Sequence, residues 1–110
     1  MALTDRNTDP ISASLACLRD RLPPGSRVIV FGSRARGEAR EDSDLDLLVI
    51  EPEVRNRFDE MARLASLLGR QLIPADVVVM SNAAFEQERT QPNTLAWRAA
   101  HEGLIHEFPH

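Results

Sequence analysis

Residues 28–50 read Val28-Ile29-Val30-Phe31-Gly32-Ser33-Arg34-Ala35-Arg36-Gly37-Glu38-Ala39-Arg40-Glu41-Asp42-Ser43-Asp44-Leu45-Asp46-Leu47-Leu48-Val49-Ile50. The apolar, β-branched runs at the two ends, Val28 to Phe31 and Leu45 to Ile50, predict strands, and the unbroken second run suits a central strand covered on both faces. Between them lies a segment dense in charge. Gly32-Ser33 ends the first strand, and Asp44 and Asp46 stand two apart at the start of the second. The two-residue period of a strand sends both carboxylates to one face, while Leu45 and Leu47 enter the core opposite.

Orientation follows from which residues must meet. A serine ending the first strand reaches carboxylates starting the second only if the two strands are antiparallel, which the ten-residue link allows. Asp76 opens a third apolar run, Val77 to Met80, and arrives at the same sheet edge only if that strand runs parallel to the second through a crossover helix. Val54, Phe58, Met61, Ala65 and Leu68 supply that helix, repeating at helical spacing between Pro52 and Gly69. One mixed sheet satisfies both demands.

Outward from this centre, Asp9-Pro10 predicts a helix start, continued by Ile11, Leu15, Leu18 and Leu22 and stopped by Pro23-Pro24-Gly25. Ser81-Asn82 caps a further helix, Asn93 to Glu102 is helical with Gly103 closing it, and Leu104 to Phe108 suits an edge strand. Residues 1–8 are polar and frayed. The expected fold is therefore α/β: a small mixed sheet of three to four strands with helices packed on it, in a single domain over residues 1–110.

Composition narrows the chemistry. A chain of 110 residues has room for one core and no second lobe. All thirteen basic residues are arginine, which removes P-loop, Schiff-base and kinase-type lysines, so phosphate contacts fall to arginine or backbone amides. No tyrosine is present, and Cys17 is the one cysteine, a buried thiol with no partner for a disulfide or a zinc cluster. A net charge of −4 disfavours non-specific binding to nucleic acid. No apolar stretch is long enough to span a membrane, and charges near the N-terminus break up any secretory signal, so the expected location is the cytoplasm.

Asp44 and Asp46 on one face form a hard-cation site whose octahedral shell two carboxylates cannot complete. Triphosphate oxygens can fill the remaining positions. Asp76 converges on the same edge beside Gly32, whose missing side chain lets backbone amides approach phosphate. Arg34 and Arg36 either contact that phosphate or pair with Glu38, Glu41 and Asp42 in a solvated turn. His101, His106 and His110 show no ligand spacing and suit the surface, and Trp97 suits packing of the last helix with Leu95 and Leu104 better than base stacking.

Gly32-Ser33, ten residues and then Asp44-Leu45-Asp46, with Asp76 as a third strand acid, resembles the signature of the DNA polymerase β-like nucleotidyltransferase superfamily. More narrowly, Gly32-Ser33-Arg34-Ala35-Arg36-Gly37 with Ser43-Asp44-Leu45-Asp46-Leu47 resembles the minimal nucleotidyltransferases. These are small proteins often paired with HEPN-domain partners in toxin–antitoxin systems. The similarity runs through nearly the whole chain, to Glu102-Gly103-Leu104-Ile105. It implies that Asp44 and Asp46 bind one or two Mg²⁺ (or Mn²⁺) ions, and that Gly32 and Ser33, with Arg34 and Arg36 nearby, hold the β/γ-phosphates of ATP. Asp76 would bind the second metal and help deprotonate an acceptor hydroxyl. The implied reaction moves AMP to a partner protein, a HEPN-type toxin encoded nearby. The alternatives are an antitoxin that acts by masking, and an aminoglycoside-type small-molecule transferase, which the lack of a second lobe disfavours. An oligomer is compatible with all of these.

Overall fold

The computed structural model describes residues 10–32 and 45–108. Within them the chain forms α1 (Pro10–Leu18), β1 (Ser26–Phe31), β2 (Leu45–Glu51), α2 (Arg57–Arg70), β3 (Ala75–Ser81), α3 (Asn82–Glu88), α4 (Leu95–Glu102) and β4 (Leu104–Phe108). The four strands make one mixed sheet in the order β3-β2-β1-β4. β1 runs antiparallel to β2 and to β4, and β2 runs parallel to β3 through the α2 crossover, the two orientations that convergence of Gly32, Asp46 and Asp76 requires.

Strand alternation divides the core in two. One face carries Val28, Val30, Leu45, Leu47, Val49, Val77 and Val79 against Leu18 of α1 and Leu64 and Leu68 of α2. The other carries Ile29, Phe31, Leu48, Ile50 and Met80 against Phe85 of α3 and Ala96 and Ala99 of α4. Because β2 is covered on both sides, its run of apolar residues shows no polar alternation. β4 is an edge strand, joined to the start of β1 by the Gly25 amide donating to the Phe108 carbonyl at 3.0 Å. Gly103 turns α4 into β4 where there is no room for a side chain: a Cβ there would strike Ile29 Cγ2 and lie 3.1 Å from the Val30 carbonyl oxygen.

Three local expectations need correction. The first helix ends at Leu18, not at the Pro23-Pro24-Gly25 stop. Arg19 to Arg21 form a turn, and Leu22 reaches the core from beyond the helix. The α2 helix begins at Arg57, where the Asn56 side chain caps it by accepting from the Asp59 amide at 3.1 Å, so Val54 packs on the core from the preceding loop. Its buried stripe is Met61, Leu64, Leu67 and Leu68; Ala65 is exposed, and Phe58 is 74% exposed. Two apolar registers coexist on this helix, and the one richer in leucine buries more surface.

The α3 and α4 boundaries follow their caps. Ser81 Oγ accepts from the Ala84 amide and Thr94 Oγ1 from the Trp97 amide, each at 3.1 Å, and Asn93 takes a positive φ of 73° just ahead of α4. The residue-9 cap and residues 1–8 lie outside the described residues.

Candidate active site

β1 ends at Phe31, and Gly32 follows with φ +78°, the left-handed region that a residue with a Cβ enters only under strain. A Cβ on Gly32 would also collide with Asp46 Oδ2 and stand 3.1 Å from its Cγ. The glycine is needed twice over, for the backbone turn and for the closeness of the Asp46 carboxylate to the main chain. Such a bare backbone beside a carboxylate is where a phosphate bridged to a cation can be seated.

Register brings the acids together. Asp46 pairs with Phe31 on β1 and with Asp76 on β3. In-register positions on adjacent strands lie roughly 5 Å apart, so the two carboxylates are neighbours at one end of the sheet. They stand on the α3/α4 face, which is set by Phe31, Leu48 and Met80 at the alternating positions. Asp46 is half-buried and Asp76 exposed. Adjacent like charges repel, and a cation between them relieves that repulsion. The donor set is hard oxygen, which fits Mg²⁺ or Mn²⁺ and not a soft metal. Among the described residues no group of three His, Cys, Asp or Glu side chains converges. Ser33, Arg34, Arg36 and Asp44, expected at this site, lie outside the described residues.

A second cluster escaped sequence reasoning. Glu51, the last residue of β2, is 3% exposed, and its Oε2 is buried with no hydrogen-bond partner. Burial and the adjacent Glu60 push its carboxyl up to about 8, so it holds a proton where Glu60 does not. Arg63 grips Glu60 through two hydrogen bonds of 2.8 and 2.7 Å, which with a bond to Glu51 hold Glu60 well below the usual carboxylate range. Arg63 also donates to the Arg21 carbonyl at 2.9 Å. These groups line an open groove of about 540 Å³ at the end of β2 opposite Asp46. A glutamate directly after four buried apolar residues, Leu47 to Ile50, was the available signal.

The remaining candidates are placed as follows. His101 is exposed and lies against Trp97, with ring centroids 4.6 Å apart, and Trp97 is half-buried on α4. His106 differs from a surface expectation, because its Nε2 is buried without a partner. Cys17 is half-buried, donates to the Leu67 carbonyl at 3.6 Å, and has its thiol pushed up by burial. No helix among the described residues is long and apolar enough to cross a membrane.

Comparison with known proteins agrees with this fold. The nucleotidyltransferase domain family model matches residues 11–96. A protein of Methanocaldococcus jannaschii, provisionally named a protein adenylyltransferase, is 34% identical over 62 residues, 56% of this chain and 59% of the relative. The chain thus spans little more than half the length of that curated relative. A solved structure provisionally described as a minimal nucleotidyltransferase is 35% identical, with 89% of this chain and 96% of that chain covered at a TM-score of 0.53. A toxin–antitoxin crystal structure with AMP-PNP shares the fold at 23% identity and a TM-score of 0.51, over 83% of this chain and 67% of that one. With the signature glycine and two of its acids meeting at one sheet edge, and a family model matched over most of its length, this chain belongs to the nucleotidyltransferase domain family.

Proposed function

We propose that the chain transfers AMP from ATP to a hydroxyl group of a partner protein, and that the partner is a HEPN-type toxin silenced by the modification. The observation that carries this reading is the register that sets Asp46 against Gly32 on one side and Asp76 on the other. Support comes from the M. jannaschii relative, by its provisional name a protein adenylyltransferase, and from the shared fold of a toxin–antitoxin structure holding AMP-PNP.

In this reading Asp46, Asp76 and Asp44, two residues before Asp46, hold Mg²⁺ or Mn²⁺, which when bound offsets charge on the triphosphate and on the attacking and leaving oxygens. Gly32, with Ser33, receives the β/γ-phosphates against bare main chain, and Arg34 and Arg36 add charge beside them. The acceptor oxygen forms a bond to the α-phosphorus as the bond to the bridging oxygen breaks and pyrophosphate leaves. Asp76, the more exposed carboxylate, takes the hydroxyl proton. Its exposure leaves the acceptor side open to a macromolecule.

The test is incubation with α-labelled ATP, Mg²⁺ and the protein encoded in the neighbouring reading frame, followed by peptide mass spectrometry. A +AMP shift on a hydroxyl of that protein is expected. Absence of label, with toxin protection retained by Asp46→Ala/Asp76→Ala, would instead favour an antitoxin that acts by masking.

A further inference from the structure

Behind the carboxylates, on the opposite face of the sheet, a groove of about 960 Å³ runs between α1 and the end of α2. Cys17, Leu67, Ile73 and Pro74 contribute apolar lining, Asp20, Arg21 and Arg70 stand on its walls, and it reaches the sheet's end two residues before Asp76. Three features of it are unusual.

The first is Leu72. α2 ends with the Leu72 amide donating to the Gly69 carbonyl and the Ile73 amide to the Leu68 carbonyl, both at 3.0 Å, a pattern that puts Leu72 in the left-handed position usually filled by glycine. Its φ is +58° and its side chain is 88% exposed. A leucine here bears backbone strain and a wholly solvated apolar side chain together, where glycine would bear neither. The second feature is charge. The chain carries −4 overall, yet the charged residues lining the groove are two arginines, Arg21 and Arg70, against one acid, Asp20, and among the described residues neither guanidinium makes an ion pair. The third is position, since the groove's lip at Leu72, Ile73 and Pro74 is continuous with the strand that carries Asp76.

We infer that this groove is the docking surface for the acceptor protein, with Leu72 as its anchor, and that it takes an apolar segment flanked by carboxylates. The inference rests on the reading above that the acceptor is a protein. An apolar segment covers Leu72 and the groove floor, its carboxylates meet Arg21 and Arg70, and the bound protein laps round the end of β3 to present its hydroxyl at Asp76. Strain retained under a side chain that is 88% exposed is what a binding residue, not a folding residue, would show.

The experiment compares wild type with Leu72→Gly and with Arg21→Glu/Arg70→Glu, using the protein encoded in the neighbouring reading frame as acceptor. Melting temperature and AMP transfer are both read. Leu72→Gly is expected to raise the melting temperature while raising the KM for the acceptor at least tenfold. The KM for ATP and kcat at saturating acceptor should stay within twofold. The charge-reversed variant is expected to raise the same KM, with the increase shrinking as salt rises. Unchanged acceptor KM in both variants, with label still transferred, would overturn the groove and leave the proposed reaction standing. Loss of a wild-type dimer in Leu72→Gly without change in acceptor KM would likewise overturn it, assigning the groove to a second copy. No label on the acceptor from the wild-type chain would overturn the proposed reaction, and the docking surface with it.

Discussion

Gly32 and Asp46 constrain each other closely, because the space that a methyl group would fill is occupied by the Asp46 carboxylate. Gly32→Ala should cost about 1–3 kcal/mol through the positive φ alone. Since a carboxylate can rotate where backbone cannot, the fold should survive with Asp46 turned away. Thermal melting should therefore show a modest loss, while ATP affinity falls at least tenfold. Asp76→Asn should separate binding from turnover: the more exposed carboxylate is assigned to the acceptor oxygen, so ATP affinity should stay within a few-fold while AMP transfer falls by about 100-fold or more, the usual contribution of a general base. Transfer surviving within threefold would remove Asp76 from that role. At this scale the sequence was most legible where chemistry and geometry coincide. Gly32, Asp46 and Asp76 are legible because a two-residue strand period and a required meeting point leave few arrangements. Glu51 was not, since its proton depends on burial and on Glu60, which arrives from another element nine residues later.

Between elements, that pair joins β2 to α2, and Arg63, which reaches both Glu60 and the Arg21 carbonyl, ties α2 to the turn after α1. The folded chain keeps a proton on Glu51 up to about pH 8, whereas the unfolded chain releases it near the ordinary value of 4.5. Folding therefore takes up a proton between those limits, and the Glu51 contribution to stability, whole below about 4.5, is lost as pH rises toward 8. Glu60 has the opposite sign, its contribution being present above 4.5 and lost as pH falls toward 2. Glu51→Gln keeps the neutral shape without the titration, so its melting temperature should exceed that of wild type at pH 8 and converge with it near pH 4.5. A constant offset across that range would contradict the shared-proton arrangement. The α2 helix itself offers a second check: Leu64→Ala should cost about 2–5 kcal/mol by opening a core cavity, and Phe58→Ala should change stability by less than 0.5 kcal/mol. Spacing alone placed Phe58 on the buried stripe, because 58, 61, 65 and 68 and 61, 64, 67 and 68 are both helical sets. Only packing against β3 and α1 decides between them.

For the molecule as a whole, the sheet was readable before its helices were. β2 had to be central because it is apolar on both faces, and the neighbours' directions followed from where the acids must meet. Helix ends were less legible, since α1 stops at Leu18 without a glycine or proline beside it and α2 waits for the Asn56 cap. The groove along α1 was invisible from sequence because its two walls come from residues about fifty positions apart. The proposed reaction requires the end of the sheet carrying Gly32, Asp46 and Asp76 to be a nucleotide site closed by a divalent cation. Titration calorimetry of ATP into the protein tests it most directly. Binding in Mg²⁺ or Mn²⁺ is predicted, with at least a tenfold loss in EDTA or in Asp46→Asn, whereas equal affinity with and without the cation, or an unaffected Asp46→Asn, would contradict it.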